Sequence, residues 1–416
     1  MYTETSNRHS SAQRQQVAFF VSNLGQVRNA ANVSRIMNFQ GAHCLVLHTP
    51  RDLILKSVIS TFAKNQGFIV REVLLPSSPS DFIFYKINKV ARVYESLLDS
   101  LTSSELWVCN ANNHYAYLCK AHVSRGGSIN YFEEGLGTYR TKDDNLFRTK
   151  TLAACLMMTV QEIRQTIQNP RIGLFRKLKR ISHRVINRLG QASPFKYINR
   201  ILTAGRSEYF EDPCIYFETG VVTFPDAIDR NILSFKNTIR LTHVTSQIDA
   251  AIVSQMLSSA NTKFLKEESV SLLITQDYGV PPFVWGKAIG QCLQSLGIKE
   301  LILKNHPRET LLFRRELHNG LISMGINIGS NQLFDQFPVE FLLSTIKVRN
   351  LIGITSSALL YASFCSSCNR ISIAPLLIST LFHDYSISKN MLENLQGDAL
   401  IFKRLVRKSE ICINVY

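Results

Sequence analysis

The chain contains 416 residues, of which 45% are hydrophobic and 19% charged, and its mean hydropathy is close to zero. This composition is typical of a globular protein and excludes a fibrous or intrinsically disordered chain. The 47 Lys and Arg residues outnumber the 31 Asp and Glu residues, so the formal net charge is +16. Such an excess favours a polyanionic partner, which can be nucleic acid, an acidic polysaccharide or an anionic membrane face.

The start of the chain carries no feature of a secretion signal. Residues 1–16 are polar, and we expect them to form a disordered tail. No apolar run approaches the roughly 20 residues that cross a bilayer. Nine cysteines without regular spacing fit reduced, buried thiols better than a disulfide framework. The sequence therefore predicts a cytoplasmic protein.

Short runs rich in β-forming residues alternate with helical patterns along the chain. The strands are apolar on both faces, which predicts parallel sheets covered by helices and hence an α/β fold. The predicted strands are Val17–Ser22, His43–His48, Ile69–Leu75, Leu106–Asn110, Ile129–Phe132, Leu272–Thr275, Leu301–Lys304, Leu351–Ile354 and Ile371–Ala374.

These strands fall into two groups, which are separated by residues 150–265. We expect two doubly wound domains that face each other across a cleft. The first would cover residues 17–260 and the second residues 261–416.

A basic segment lies between the two groups of strands. Residues 163–207 contain eleven Lys and Arg residues and no acidic residue. Asn169, Pro170 and Gly190 are suited to bound an amphipathic helix with one apolar and one cationic face. The cationic face is either a solvated surface or a surface that docks a polyanion or anionic lipid head groups. The candidate anion-binding residues on it are Arg176, Lys177, Lys179, Arg180 and Arg184.

Two adjacent carboxylates follow one predicted strand. The strand ends at Phe132, and Glu133, Glu134, Gly135 and Gly137 come next. Ligands of open α/β sheets bind at the carboxyl ends of strands, and neighbouring carboxylates in a partly dry cleft have their pKa values pushed apart. The pair is either an ordinary acidic turn or a catalytic site with one general base.

A basic cluster and a hydroxyl-rich cluster follow two strands of the second group. Lys304, His306 and Arg308 are arranged around Pro307, and together they can face an anion, although a histidine at a strand end also occurs for structural reasons. Residues 355–357 are Thr-Ser-Ser and precede a predicted helix. These hydroxyls either cap that helix or help to bind a phosphate there.

Taken together, these motifs resemble those of bacterial sialyltransferases with an acidic, an H-P and a Ser/Thr-rich motif, and most closely the capsular polysialyltransferases. The matches keep the order that the family has and span most of the chain. They are Phe20–Gln26, Phe132–Tyr139, His306–Pro307 with Glu309, and Thr355–Ser357 with Ser372–Leu376.

The resemblance implies a GT-B fold with two Rossmann-like domains and an inverting, metal-independent transfer without a cofactor. CMP-sialic acid would be the donor substrate. Glu134 would be the general base with Glu133 beside it, although either glutamate could be the base, and His306 would assist the departing phosphate. Consistent with metal independence, the sequence contains no D-x-D motif. The donor-binding residues implied by the resemblance are Pro307, Thr355, Ser356, Ser357, Asn23 and Gly25.

The resemblance also implies an acidic oligo- or polysaccharide acceptor, and a capsule-assembly complex on the cytoplasmic face of the inner membrane. The basic segment would then hold the growing polyanion. Four alternatives stay open. They are a monosialyltransferase that caps lipooligosaccharide, a transferase for another CMP-activated acidic sugar, an inactive structural relative, and a nucleic-acid-binding protein. The last is disfavoured because the basic segment has few aromatic residues and no nucleic-acid module is recognisable.

Overall fold

The fold is described from a computed structural model. It describes residues 16–49, 53–75, 84–101, 103–112, 114–140, 200–206, 214–241, 270–306, 309–330, 334–364, 366–387, 389–409 and 411–416.

Two parallel sheets organise these residues. The first contains β1 (Val17–Val21), β2 (His43–His48), β3 (Ile69–Leu74), β4 (Glu105–Val108), β5 (Ser128–Phe132), β6 (Tyr216–Val222) and β7 (Ser234–Arg240). The second contains β8 (Val270–Ile274), β9 (Glu300–Lys304), β10 (Asn327–Ser330), β11 (Val348–Gly353), β12 (Asn369–Ser372) and β13 (Asn414–Val415).

The strand order is the same in both sheets as far as the sixth strand. The first sheet runs β3-β2-β1-β4-β5-β6-β7 and the second runs β10-β9-β8-β11-β12-β13. This is the order of the doubly wound Rossmann fold, in which the connections change direction beside the first strand and leave a crevice at the carboxyl ends. The predicted α/β fold with two Rossmann-like domains is confirmed.

Helices cover the sheets. Those that the structure describes are α1 (Leu24–Ile36), α2 (Leu53–Asn65), α3 (Phe84–Ser100), α4 (His114–Val123), α5 (Pro282–Ser295), α6 (Leu311–Ser323), α7 (Val339–Leu343), α8 (Ser357–Tyr361), α9 (Ala374–His383) and α10 (Lys389–Ser409). Among these helices, none combines the length and the apolar character that crossing a membrane requires. Central strands such as β1 are buried at every position, because helices pack on both faces of the sheet.

Each of the nine predicted strands is present, but the sequence missed four others. β6 and β7 lie in the stretch that was expected to separate the two groups, and they extend the first sheet. β7 is largely exposed and polar, and β13 contains two residues, so neither carries the apolar run that identified the others. The predicted domain boundary near residue 260 and nearly all of the predicted tail lie outside the described residues.

The two domains share part of their apolar core. Phe341 of α7 packs against Phe62 of α2, with ring centroids 5.1 Å apart. The helix α10 bridges both cores: Leu392 and Leu395 belong to the core of the second domain, whereas Phe402 lies in the core cluster built mainly from the first. This apolar contact fixes how the carboxyl ends of the two sheets approach each other.

A buried ion pair crosses the same interface. Arg28 of α1 lies 3.6 Å from Glu340 of α7, and the side chains are only 3% and 9% exposed. The Arg28 guanidinium also lies over the Phe341 ring, 5.7 Å from its centroid. Since both charges are out of water, each depends on the other for compensation.

Removing one partner of this pair should destabilise the protein strongly. We expect Glu340→Gln to lower the free energy of unfolding by about 3–5 kcal/mol, because Arg28 would stay buried without its carboxylate. The matched control is Glu218→Gln, which breaks the exposed 3.1 Å pair with Lys236 and should cost less than about 1 kcal/mol. Urea unfolding of both variants measures the difference. Equal, small losses would show that the interface does not depend on the buried pair.

Candidate active site

Glu133, the first carboxylate after β5, is a buried link between the domains. Its side chain is fully buried and accepts a hydrogen bond from the backbone N–H of Thr223 at 2.5 Å. The hydroxyl of Tyr361 in α8 of the second domain donates a second hydrogen bond. Burial raises the pKa of Glu133, and the hydrogen bonds from Thr223, Tyr361 and Tyr139 oppose that shift. Both carboxylate oxygens are therefore occupied by protein groups.

Glu134, the next residue, is placed differently. It is exposed, and its Oε1 accepts a hydrogen bond from Nε2 of Gln26 at 2.8 Å. Its backbone N–H donates to Oγ1 of Thr138 at 3.3 Å, which holds the turn after β5. Of the two predicted carboxylates, Glu134 is thus the one that solvent, and hence a substrate, can reach.

Gly135 brings this acidic turn against the second domain. Its backbone angles, φ 152° and ψ −149°, lie in a region that is essentially restricted to glycine. A Cβ atom at this position would lie 3.2 Å from Oγ of Ser357. The acidic motif and the hydroxyl-rich motif are therefore in contact.

The three hydroxyl residues have different surroundings. Thr355 is fully buried, its hydroxyl is hydrogen-bonded to that of Tyr278, and its N–H donates to Oε1 of Gln276 at 3.1 Å. Ser356 caps α8, because its hydroxyl accepts from the N–H of Ala358 at 3.3 Å. Ser356 and Ser357 are half-buried. Since α8 has only five residues, the hydroxyls of this turn are better candidates for anion ligands than its helix dipole.

His306 follows β9 and is held through its backbone. Its N–H donates to Oε2 of Glu309 at 3.0 Å and lies 3.3 Å from Oγ1 of Thr275, while its carbonyl accepts from Arg314 at 3.2 Å. The residue itself is exposed. The backbone is thus fixed from several sides while the imidazole can be reached from solvent.

Two buried charged groups lie next to His306. Burial raises the pKa of Glu309 to about 7, against hydrogen bonds from Thr275 and from the His306 backbone that favour its charged form. Burial likewise lowers the pKa of Lys304 to about 8, although Asp335 and other nearby carboxylates oppose this shift. The buried side chains of Lys304 and Glu309 are therefore poorly solvated, whereas His306 itself is exposed.

The end of β8 connects the two motifs of the second domain, and the sequence analysis did not identify it. The hydroxyl of Thr275 donates to Glu309 at 2.8 Å, and the next residue, Gln276, binds Thr355. Tyr278 donates to Asp398 of α10 at 3.1 Å. The segment Thr-Gln-Asp-Tyr-Gly follows an apolar strand, which is the same signal that identified the other motifs.

The first turn of the chain has a structural role beside its predicted donor-binding role, which stays a prediction. The side chain of Asn23 accepts from the N–H of Gln26 at 2.8 Å and caps α1. The residue of this turn that reaches the acidic motif is Gln26, whereas Asn23 and Gly25 were predicted to bind the donor. The remaining predicted residues lie outside the described part of the chain; they are Pro307, Arg176, Lys177, Lys179, Arg180 and Arg184.

The contacts thus form one continuous path. They run from Glu134 and Gly135 through Ser357 and its neighbours to Gln276 and Thr275, and then to His306. Two Rossmann-like domains whose strand ends meet in this way have the GT-B architecture.

The family model for alpha-2,8-polysialyltransferases matches residues 18–374. The chain therefore belongs to the alpha-2,8-polysialyltransferase family and is a sialyltransferase.

Solved structures with related folds are distant. The UDP-GlcNAc 2-epimerase from Neisseria meningitidis bound to UDP-GlcNAc is 9% identical, with a TM-score of 0.48 and coverage of 95% of this chain and 100% of that one. Arabidopsis thaliana UGT89C1 in complex with UDP is 11% identical, with a TM-score of 0.43 and coverage of 95% and 94%. No curated protein sequence matches the chain significantly. The fold assignment rests on the strand order and the family assignment on the family model.

A side chain at Gly135 should disrupt the contact between the domains. We expect Gly135→Ala to reduce sialyl transfer at least tenfold and to destabilise the fold by about 1–3 kcal/mol, because alanine is strained at this φ and crowds Ser357. Gly137→Ala is the matched control, since a Cβ at Gly137 would meet nothing within 4 Å. Transfer rates and melting temperatures of the two variants provide the test. A Gly135→Ala enzyme as active as Gly137→Ala would contradict the close contact.

The buried carboxylate of Glu309 should make stability depend on pH. Because its pKa is raised to about 7 from an ordinary value of 4.5, the folded state holds a proton that the unfolded state has lost between these pH values. Stability therefore falls as the pH rises through this window. In Glu309→Gln, the loss of unfolding free energy over this pH range should be smaller by on the order of 3 kcal/mol. Denaturant unfolding between pH 4.5 and 8 measures it, with the exposed Glu393→Gln as control; parallel profiles for wild type and Glu309→Gln would refute the assignment.

Proposed function

We propose that the protein transfers sialic acid from CMP-sialic acid to a sialylated acceptor and thereby extends polysialic acid for a capsule. The observation that carries this proposal is the contact between Gly135 and Ser357. It brings the exposed carboxylate of Glu134 next to the hydroxyl-rich turn of the second domain. An acceptor hydroxyl and a nucleotide phosphate could then meet between them.

Glu134 is the general base in this proposal. It is exposed and anchored by Gln26, whereas Glu133 is buried and occupied by Thr223 and Tyr361. A base must come within hydrogen-bond reach of the hydroxyl that it deprotonates, and this condition favours Glu134. Glu133 then acts on the reaction by holding the acidic turn in place.

His306, Ser356 and Ser357 receive the leaving group. The CMP phosphate carries negative charge as the glycosidic bond breaks, and an imidazolium together with hydroxyl and N–H donors can stabilise that charge. The chain has no D-x-D motif of the kind that positions a metal for a sugar diphosphate, which supports a metal-independent reaction. A base on one domain and a leaving-group site on the other favour direct displacement with inversion.

The excess positive charge suits the proposed product. Polysialic acid carries one carboxylate per sugar, and a chain with a net charge of +16 attracts such a polymer by long-range electrostatics and counterion release. We assign the candidate residues Arg176, Lys177, Lys179, Arg180 and Arg184 to acceptor binding. Product length should therefore shorten as the salt concentration rises.

Two substitutions test the catalytic assignment. We expect Glu134→Gln and His306→Ala each to reduce kcat at least about a hundredfold with CMP-sialic acid and a labelled oligosialic primer, because the first removes the general base and the second removes the imidazolium that stabilises the leaving phosphate. The reaction is run with chelator present, and product lengths are resolved. His318→Ala in α6 and Glu218→Gln in β6 are the controls and should react normally.

The outcomes distinguish the proposed activity from its alternatives. A ladder of product lengths supports a polysialyltransferase, whereas a single addition indicates a monosialyltransferase. Loss of all activity in chelator that a divalent metal restores would overturn metal independence. A folded Glu134→Gln variant with near-normal kcat would end the assignment of the base.

A further inference from the structure

The side chain of Gln26 is buried beside the proposed base. Gln26 lies in the first turn of α1, and its residue surface is 2% exposed. It reaches Glu134, which is 108 positions further along the chain, with a hydrogen bond of 2.8 Å from Nε2 to Oε1. A buried amide that donates to an exposed carboxylate is in a position to fix the orientation of that carboxylate.

The orientation of the Gln26 amide is itself determined. Its Oε1 accepts from the N–H of Ser22 at 2.5 Å and from the Ser22 hydroxyl at 3.1 Å. A backbone N–H can only donate, so the atom facing Ser22 must be the amide oxygen, and the atom facing Glu134 must be the amide nitrogen. The amide can therefore act toward Glu134 as a donor only.

We propose that Gln26 is a positioning residue that holds the Glu134 carboxylate in its reactive orientation. This inference rests on the proposed function of Glu134 as the general base. A hydrogen bond from a fixed donor restricts the rotamers of a glutamate side chain, and a misplacement of about 1 Å can cost about a hundredfold in rate. A hydrogen bond to an ionised carboxylate is among the stronger ones in proteins. The turn after β1 thus serves the base in the first domain, in addition to any contact with the donor.

The substitution Gln26→Glu tests this hydrogen bond. It keeps the length of the side chain and an oxygen to accept from Ser22, and it exchanges the donor that faces Glu134 for a carboxylate. We expect kcat to fall at least tenfold while KM for CMP-sialic acid changes less than twofold. A rise in KM for the donor with kcat unchanged would overturn the inference, because it would place Gln26 at the donor.

Gln26→Met provides a second variant without an added charge. It should fold with a melting temperature within a few degrees of the wild type and lose kcat to a similar extent. If Gln26→Glu does not fold, this variant decides alone: normal kcat refutes the inference and a selective loss of kcat supports it.

A double-mutant cycle separates positioning from a general structural effect. In the Glu134→Gln background, Gln26→Glu should cost less than about twofold in kcat, because the residue that it serves is already inactive. If the fold-reductions in kcat of the two single substitutions multiplied in the double variant, the inference would be contradicted. Activity retained by Glu134→Gln alone would instead refute the proposed base, so the two failures can be told apart.

A matched control is available in the second domain. Nε2 of Gln291 in α5 donates to Oδ2 of Asp384 at 2.6 Å, which is the same pair of groups far from the acidic motif in sequence. Gln291→Glu should leave kcat and KM unchanged. A loss equal to that of Gln26→Glu would show that the effect is not specific to the proposed base.

Discussion

The relative position of the two domains depends on the contacts of the buried Glu133 carboxylate. This carboxylate joins the end of β5, the residue after β6 and a helix of the other domain through hydrogen bonds with Thr223 and Tyr361. An unpaired carboxylate in such a place would be costly, so the domains must meet where these donors can reach it. The Arg28–Glu340 pair and the apolar contact of Phe341 with Phe62 also hold the two domains together at this interface. The relative position of the domains therefore follows from the burial of these groups.

This constraint explains how two adjacent glutamates obtain different surroundings. Successive residues at the end of an extended strand direct their side chains to opposite sides, so burial of Glu133 leaves Glu134 on the open side. Gly135 then turns the chain toward Ser357 in a conformation that other residues rarely adopt. Glu133 is thus held inside the protein, whereas Glu134 stays exposed to solvent. Gln26 of α1 donates a hydrogen bond to the Glu134 carboxylate and so restrains it.

Much of this architecture could be predicted from the sequence, because parallel strands buried on both faces are continuous apolar runs. Polar residues just after such runs mark the carboxyl edge, which is why Glu134, His306 and Ser357 could be predicted to lie there. The difference in burial between Glu133 and Glu134 could not be predicted. It depends on Tyr361, which is 228 positions away and gives no local signal beside the glutamates. The exposed strand β7 was missed for the opposite reason, since its polar residues resemble a loop.

The most direct test of the account is a crystal structure of the Glu134→Gln variant with a CMP-sialic acid analogue and an oligosialic acceptor. The account predicts that the acceptor hydroxyl lies about 3 Å from the side chain at position 134. It also predicts that the phosphate lies beside His306 and Ser357, and that Glu133 keeps its hydrogen bond to Tyr361. An acceptor hydroxyl bound to Glu133, or a phosphate bound beside position 134, would contradict the account.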